Sequence, residues 1–111
     1  MATVDLHRQG SIAVITLNNT GKRNAMTDEM WGRIPSLMRE VDADPEVRVV
    51  VLTGAGATFC AGSDIGGLDE LHHAERPINA ELALARSPKP VIAAIEGACY
   101  GGGLELAVGC D

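Results

Sequence analysis

Positive charge is in short supply. Lysine and arginine number nine against fifteen aspartates and glutamates, a formal net charge of −6, so no global field draws nucleic acid or an anionic membrane, and an anionic ligand would need local attraction. Long apolar runs are missing too. None approaches the ~20 residues that span a bilayer, and the N-terminus, Met1-Ala-Thr-Val-Asp-Leu-His7, lacks the apolar core of a signal peptide. This predicts a protein of the cytoplasm or a matrix-like compartment, with neither a membrane nor a nucleic acid as partner. Cysteine is represented by Cys60, Cys99 and Cys110. An odd number without metal-ligand spacing, set in apolar stretches, favours small buried thiols over disulfides or a metal site. A P-loop is absent, Gly54-Ala-Gly56 lacks the third glycine of a dinucleotide fingerprint, and Ser63 stands in Ala-Gly-Ser-Asp-Ile rather than Gly-x-Ser-x-Gly. A serine nucleophile has no support.

What is present fits one soluble globular unit: 111 residues, 46% hydrophobic and 22% charged, enough for one core. Thr3–His7 and Ile12–Leu17 are β-rich and flank a Gln9-Gly10-Ser11 turn, which predicts an antiparallel hairpin. Asn18-Asn-Thr-Gly21 breaks that pattern, and Lys22 and Arg23 follow in what reads most simply as a solvated loop, with phosphate contact as the sharper alternative. Thr27 then caps an amphipathic helix carried by Met30, Ile34, Leu37 and Val41, in which Pro35 removes one hydrogen bond and should bend the helix near Trp31. Val47–Thr53 is an apolar run of strand length, of the kind covered on both faces. Gly62-Ser63-Asp64 forms a turn in which Asp64 can cap a short helix over Gly66–Leu68. His72 and His73 lie in a polar helix end and receive no role. Ile78–Ala85 predicts a short helix, and Ser87-Pro-Lys-Pro90 leads into the strand Val91–Ile95.

Gly97–Asp111 is the stretch richest in chemistry. It reads as strand, tight turn and helix start, with Gly101, Gly102 and Gly103 at the turn. Backbone N–H groups at a helix N-terminus have no intrahelical partner, so they can hold an anion or a developing oxyanion, and glycine lets a ligand come close. Glu105, just inside that helix, lies within reach as a base. The same residues equally fit a close helix-to-strand packing contact with Glu105 as a dipole-favourable surface residue. The chain stops at Asp111 with no following strand to receive the helix, which reads as a fold cut short.

Four segments in order, Gly21-Lys-Arg-Asn-Ala-Met26, Phe59-Cys-Ala-Gly-Ser-Asp-Ile65, Lys89-Pro-Val-Ile-Ala-Ala-Ile-Glu-Gly97 and Gly101-Gly-Gly-Leu-Glu-Leu-Ala107, resemble the enoyl-CoA hydratase/isomerase, or crotonase, family. The resemblance covers nearly the whole chain but only the N-terminal part of a family member. It implies an α/β fold, a crotonase-like spiral of ββα repeats, of which residues 1–111 are the N-terminal portion of a single domain. It implies an enzyme of fatty acid metabolism that hydrates 2-enoyl-CoA thioesters. An isomerase, dehalogenase-like or hydrolase reaction is the alternative within the family, and a catalytically incompetent CoA-binding or assembly module the alternative outside it. Carried over by position, Ser63 and Gly102 supply the two N–H groups of an oxyanion hole, and Glu105 is one of two acid/base carboxylates. Lys22, Arg23, Ala25 and Ala61 cradle the CoA. The second glutamate would lie beyond Asp111. No metal and no separate cofactor are implied, coenzyme A being part of the substrate, and the complete protein is expected to be a homo-trimer or a dimer of trimers. The fragment alone is expected to be inactive.

Overall fold

The computed structural model describes residues 2–63 and 75–111. Strand β1 (Thr3–Gln9) turns back into β2 (Ile12–Asn18) in antiparallel register, Val4 opposite Leu17 and Leu6 opposite Ile15, as the Gln9-Gly10-Ser11 turn signal requires. A short 3-10 turn at Thr20–Lys22 leads to helix α1 (Asp28–Asp42). Strand β3 (Val49–Gly54), helix α2 (Glu75–Ala85), strand β4 (Val91–Ala94) and helix α3 (Gly102–Gly109) follow. The four strands form one sheet in the order β1-β2-β3-β4, with β2, β3 and β4 parallel. Each parallel step is made by a crossover through α1 or α2, since parallel neighbours cannot be joined by a tight hairpin.

This is the expected α/β repeat, with one variation. After β3 and after β4 the second strand of the unit shrinks to a single bridge, Met26 opposite Ser63 and Cys60 opposite Cys99. The predicted Asp64 cap, the short helix at 66–68, and His72 and His73 lie outside the described residues.

The core follows the two periodicities. Ala13, Ile15 and Leu17 on β2 and Val50 and Leu52 on β3 are buried at every second position, and register sets Ile15 beside Leu52. Opposite them α1 buries Met30, Trp31, Ile34, Leu37, Met38 and Val41. The other face of the sheet is only half covered: Val49 and Val51 are partly buried and Ile92 is exposed. The expectation that β3 would be enclosed on both faces therefore does not hold within these residues, because the helices stack on one side.

Local signals fix the helix ends. Thr27 Oγ1 accepts the Met30 N–H at 3.2 Å, and Asp28 and Glu29 sit in the first turn where the dipole favours them. α1 runs on through Pro35 to Asp42. At its far end Lys89 Nζ donates to the carbonyls of Val41 and Asp44, groups that have no helical partner of their own.

Candidate functional site

The parallel strands end at Asn18, Gly54 and Ala94, and the loop after each turns toward the same end of the sheet. Ligands in open α/β sheets bind there, outside the carboxyl ends of the strands. All seven residues singled out in the sequence lie in or just beyond these loops.

Two of the loops are tied side by side. Cys60 N–H donates to Ala98 O at 2.9 Å and Tyr100 N–H to Cys60 O at 3.1 Å, so the turn through Gly62 and Ser63 runs beside the turn through Gly101 and Gly102. The backbone demands glycine at both: Gly62 has φ +124° and Gly101 φ +47°, conformations that a Cβ disfavours. A Cβ placed on Gly62 would lie 4.0 Å from the Gly102 nitrogen. Gly102 is the first residue of α3, so its N–H belongs to those a helix leaves without an internal acceptor. Ser63 pairs with Met26 through the Gly62 carbonyl, which accepts the Met26 N–H at 2.7 Å. In a parallel bridge of this kind the paired residue's own N–H points away from the partner strand.

Glu105 follows in the first turn of α3, half-buried. Its carboxyl is held above the usual range, chiefly by burial and further by the charge of Glu81 on α2 and a side-chain hydrogen bond with it. A carboxyl displaced upward by burial and a like charge is suited to hold and release a proton nearer neutrality. The triple glycine satisfies both readings of the sequence at once. Gly103 packs against Cys60 so closely that a Cβ would collide with its carbonyl, while the Gly102 amide remains at the helix mouth.

The third loop carries the basic pair. Lys22 and Arg23 are exposed, and Ala25 and Ala61 half-buried; Ala61 N–H donates to Arg23 O at 3.0 Å, which brings Ala61 against the Lys22–Ala25 segment. The hub of this arrangement is Asn24, which sequence reasoning passed over. It is fully buried and sits at φ +59°, a region that asparagine tolerates better than most residues. Its Nδ2 donates to Ala55 O at 2.9 Å and Thr58 O at 2.7 Å, and its Oδ1 accepts the Asn19 N–H at 2.8 Å. Glu81 and Trp31 were also passed over, since neither lies in a segment with its own motif. Cys60 is buried and its thiol is pushed up in pKa by that burial; Cys110 is pushed up to about 11, first by burial and then by the charge of Asp111. Neither is a ready nucleophile. Among the described residues no group of three or more His, Cys, Asp or Glu side chains is placed to hold a metal ion, and no helix is long and apolar enough to cross a membrane.

With this geometry in hand, the comparisons with known proteins are specific. Residues 7–111 match the family model described as enoyl-CoA hydratase/isomerase. A Mycobacterium tuberculosis protein named as a probable enoyl-CoA hydratase is 38% identical over all of this chain and 44% of its own length. The short-chain-enoyl-CoA hydratase of Clostridium acetobutylicum is 36% identical over 97% of this chain and 44% of its own length. The crystal structure of an enoyl-CoA hydratase/isomerase family member superposes with a TM-score of 0.92 at 38% identity, over the whole of this chain and 46% of that one. The chain thus spans less than half the length of these relatives. Over the residues it has, motif order, topology and family model agree: the chain belongs to the enoyl-CoA hydratase/isomerase family.

Proposed function

We propose that the protein of which these residues form part hydrates 2-enoyl-CoA thioesters. The observation that carries this reading is the pairing of two glycine turns, through Gly62–Ser63 and Gly101–Gly102, with Glu105 one helical turn further on. Addition of water across the double bond places oxygen on the β carbon and a proton on the α carbon, and negative charge gathers on the thioester oxygen on the way. The Ser63 and Gly102 N–H groups receive that oxygen, where fixed donors act only as the charge develops. Glu105 moves a proton between water and carbon, its partner being a second carboxylate of the complete protein. Lys22 and Arg23, with the backbone of Ala25 and Ala61, cradle the CoA moiety. No separate cofactor enters, since the thioester itself supplies the acidity. The complete protein works outside the membrane, in the cytoplasm, and assembles as a trimer or a dimer of trimers. Ile92, Ile95, Leu104 and Val108 are large apolar side chains left exposed, of the kind that an assembly would cover.

Glu105→Gln in the complete protein tests the reading. It keeps side-chain shape and helix start but removes the titratable proton. Hydration of a short trans-2-enoyl-CoA should fall by ~10²–10⁴ while acyl-CoA affinity changes little. Unchanged hydration removes Glu105 from the mechanism.

A further inference from the structure

Trp31 stands beneath the Gly102 turn. A Cβ built on Gly102 would lie 2.7 Å from Trp31 Cζ2 and 3.1 Å from Cη2, with Ser63 Oγ at 3.2 Å. The α carbon of Gly102 is therefore wedged between the far edge of an indole and the side chain of the residue that bears the other candidate donor. The indole has no room to retreat: Trp31 is 1% exposed and belongs to the buried residues of α1, with Met30 and Ile34. Close-packed interiors resist such displacement.

A second observation bears on why an indole occupies this position. Its Nε1–H is buried and has no hydrogen-bond partner among the described residues. An unpaired buried donor is destabilising, a penalty that phenylalanine would avoid. A phenyl ring, however, ends short of the Cζ2–Cη2 edge that touches Gly102. The position keeps the reach of the larger ring at the cost of an orphaned donor.

We propose that Trp31 is a positioning residue for the oxyanion hole: its benzo edge is the floor that fixes the Gly102 peptide, and with it the direction of the Gly102 N–H relative to Ser63. This rests on the reading of Gly102 as a donor to the thioester oxygen. Trp31 touches neither substrate nor reacting atoms; it acts through the backbone above it. Shortening the ring opens a gap under Gly102, the amide relaxes into it, and the donor leaves its line.

The test is a double-mutant cycle in the complete protein with trans-2-enoyl-CoA as substrate. Trp31→Phe should lower kcat about 10- to 100-fold, the scale of a misplaced catalytic contact, with KM little changed. Gly102→Ala alone should be impaired at least as strongly, because its methyl meets the indole. In the doubly substituted protein the methyl enters the space the indole has left, so kcat per folded enzyme should recover about tenfold or more over Gly102→Ala alone; because contacting residues couple in stability as well, each kcat is normalised to the folded fraction read by circular dichroism. Trp31→Tyr, whose ring also lacks the Cζ2–Cη2 edge, takes the place of Trp31→Phe if that variant does not fold. Wild-type turnover matched within twofold by the Trp31 variant overturns the role, as does equal impairment by Gly102→Ala in both backgrounds. A wild-type protein that hydrates no enoyl-CoA overturns the functional reading and this role together.

Discussion

Asn24→Ala is the substitution whose cost can be worked out most fully from the structure. The side chain is completely buried and makes three hydrogen bonds, two of them, at 2.7 and 2.9 Å, joining the loop after β2 to the loop after β3 and the third, at 2.8 Å, bracing the loop after β2 itself. Each such bond is worth about 1 kcal/mol net, and the removal leaves the carbonyls of Ala55 and Thr58 and the amide of Asn19 short of a partner. Position 24 also has φ +59°, where alanine is disfavoured by roughly another 1 kcal/mol. The expected loss is about 4 kcal/mol, read as a fall in the urea midpoint at fixed protein concentration with little change in slope. Asn24→Gly, which has no φ penalty, should recover about 1 kcal/mol of it. Because the same bonds hold the Lys22–Ala25 segment in place, acyl-CoA affinity should weaken in both variants. A loss under 1 kcal/mol for Asn24→Ala, or a glycine variant less stable than the alanine one, would refute the reasoning.

Glu81→Gln should move the Glu105-dependent limb of the pH–rate profile to lower pH, since a like charge and a hydrogen bond that raise the Glu105 pKa are withdrawn, although burial, the larger cause, stays. Stability follows the same sign: a carboxyl raised in the folded state favours folding fully below its ordinary value of 4.5 and loses that contribution as pH rises through the folded value. Potentiometric unfolding curves of the two proteins should diverge in that window. Asp44 has the opposite sign. The Glu46 N–H, then Arg8, hold its carboxyl below 3.8, so its contribution is present above 3.8 and fades as pH falls through the folded value; the gap in urea midpoint between wild type and Asp44→Asn should close in acid. Thr27→Ala removes the cap of α1 and should cost about 1 kcal/mol by chemical denaturation. An unchanged midpoint would show the 3.2 Å bond to Met30 to be idle.

The elements that were legible in the sequence are those whose signals are local. The hairpin, the Thr27 cap and the α1 stripe need only neighbours three to five residues away, and all three are observed. Boundaries slipped where a local signal meant two things. The short helix expected over Ile78–Ala85 starts instead at Glu75 and places Pro77 in its first turn, where the missing N–H had no helical partner anyway. β3 begins at Val49 rather than Val47, because Val47 N–H is spent in a turn on Asp44 O at 3.2 Å, although the side chain is buried all the same. The candidate site divided in the same way. Its glycine turns and Glu105 were legible because turn chemistry is local. Asn24, Glu81 and Trp31 draw their importance from contacts with residues far away in the chain, and nothing in their immediate neighbours announces such partners.

The way the chain returns to Val91 has a dynamic consequence. Val91 N–H donates to Asp111 Oδ2 at 2.7 Å, and the Asp111 N–H donates to Val91 O at 2.8 Å. The strand β4, the glycine turn and α3 are thus closed into a ring by a two-point clasp at their ends. Segments closed in this way tend to open and shut as one cooperative unit rather than fray residue by residue. The turn at Gly101–Gly102 cannot loosen without either breaking the clasp or stretching the ring, so its motion is governed by a contact at the opposite end of α3. In native-state hydrogen exchange the amides of Val91 and Asp111 should report the same opening free energy as those of Gly103 and Glu105, and Asp111→Ala should speed exchange at all of them together. Asp111 thereby acts as a latch on the flexibility of a turn that it does not touch.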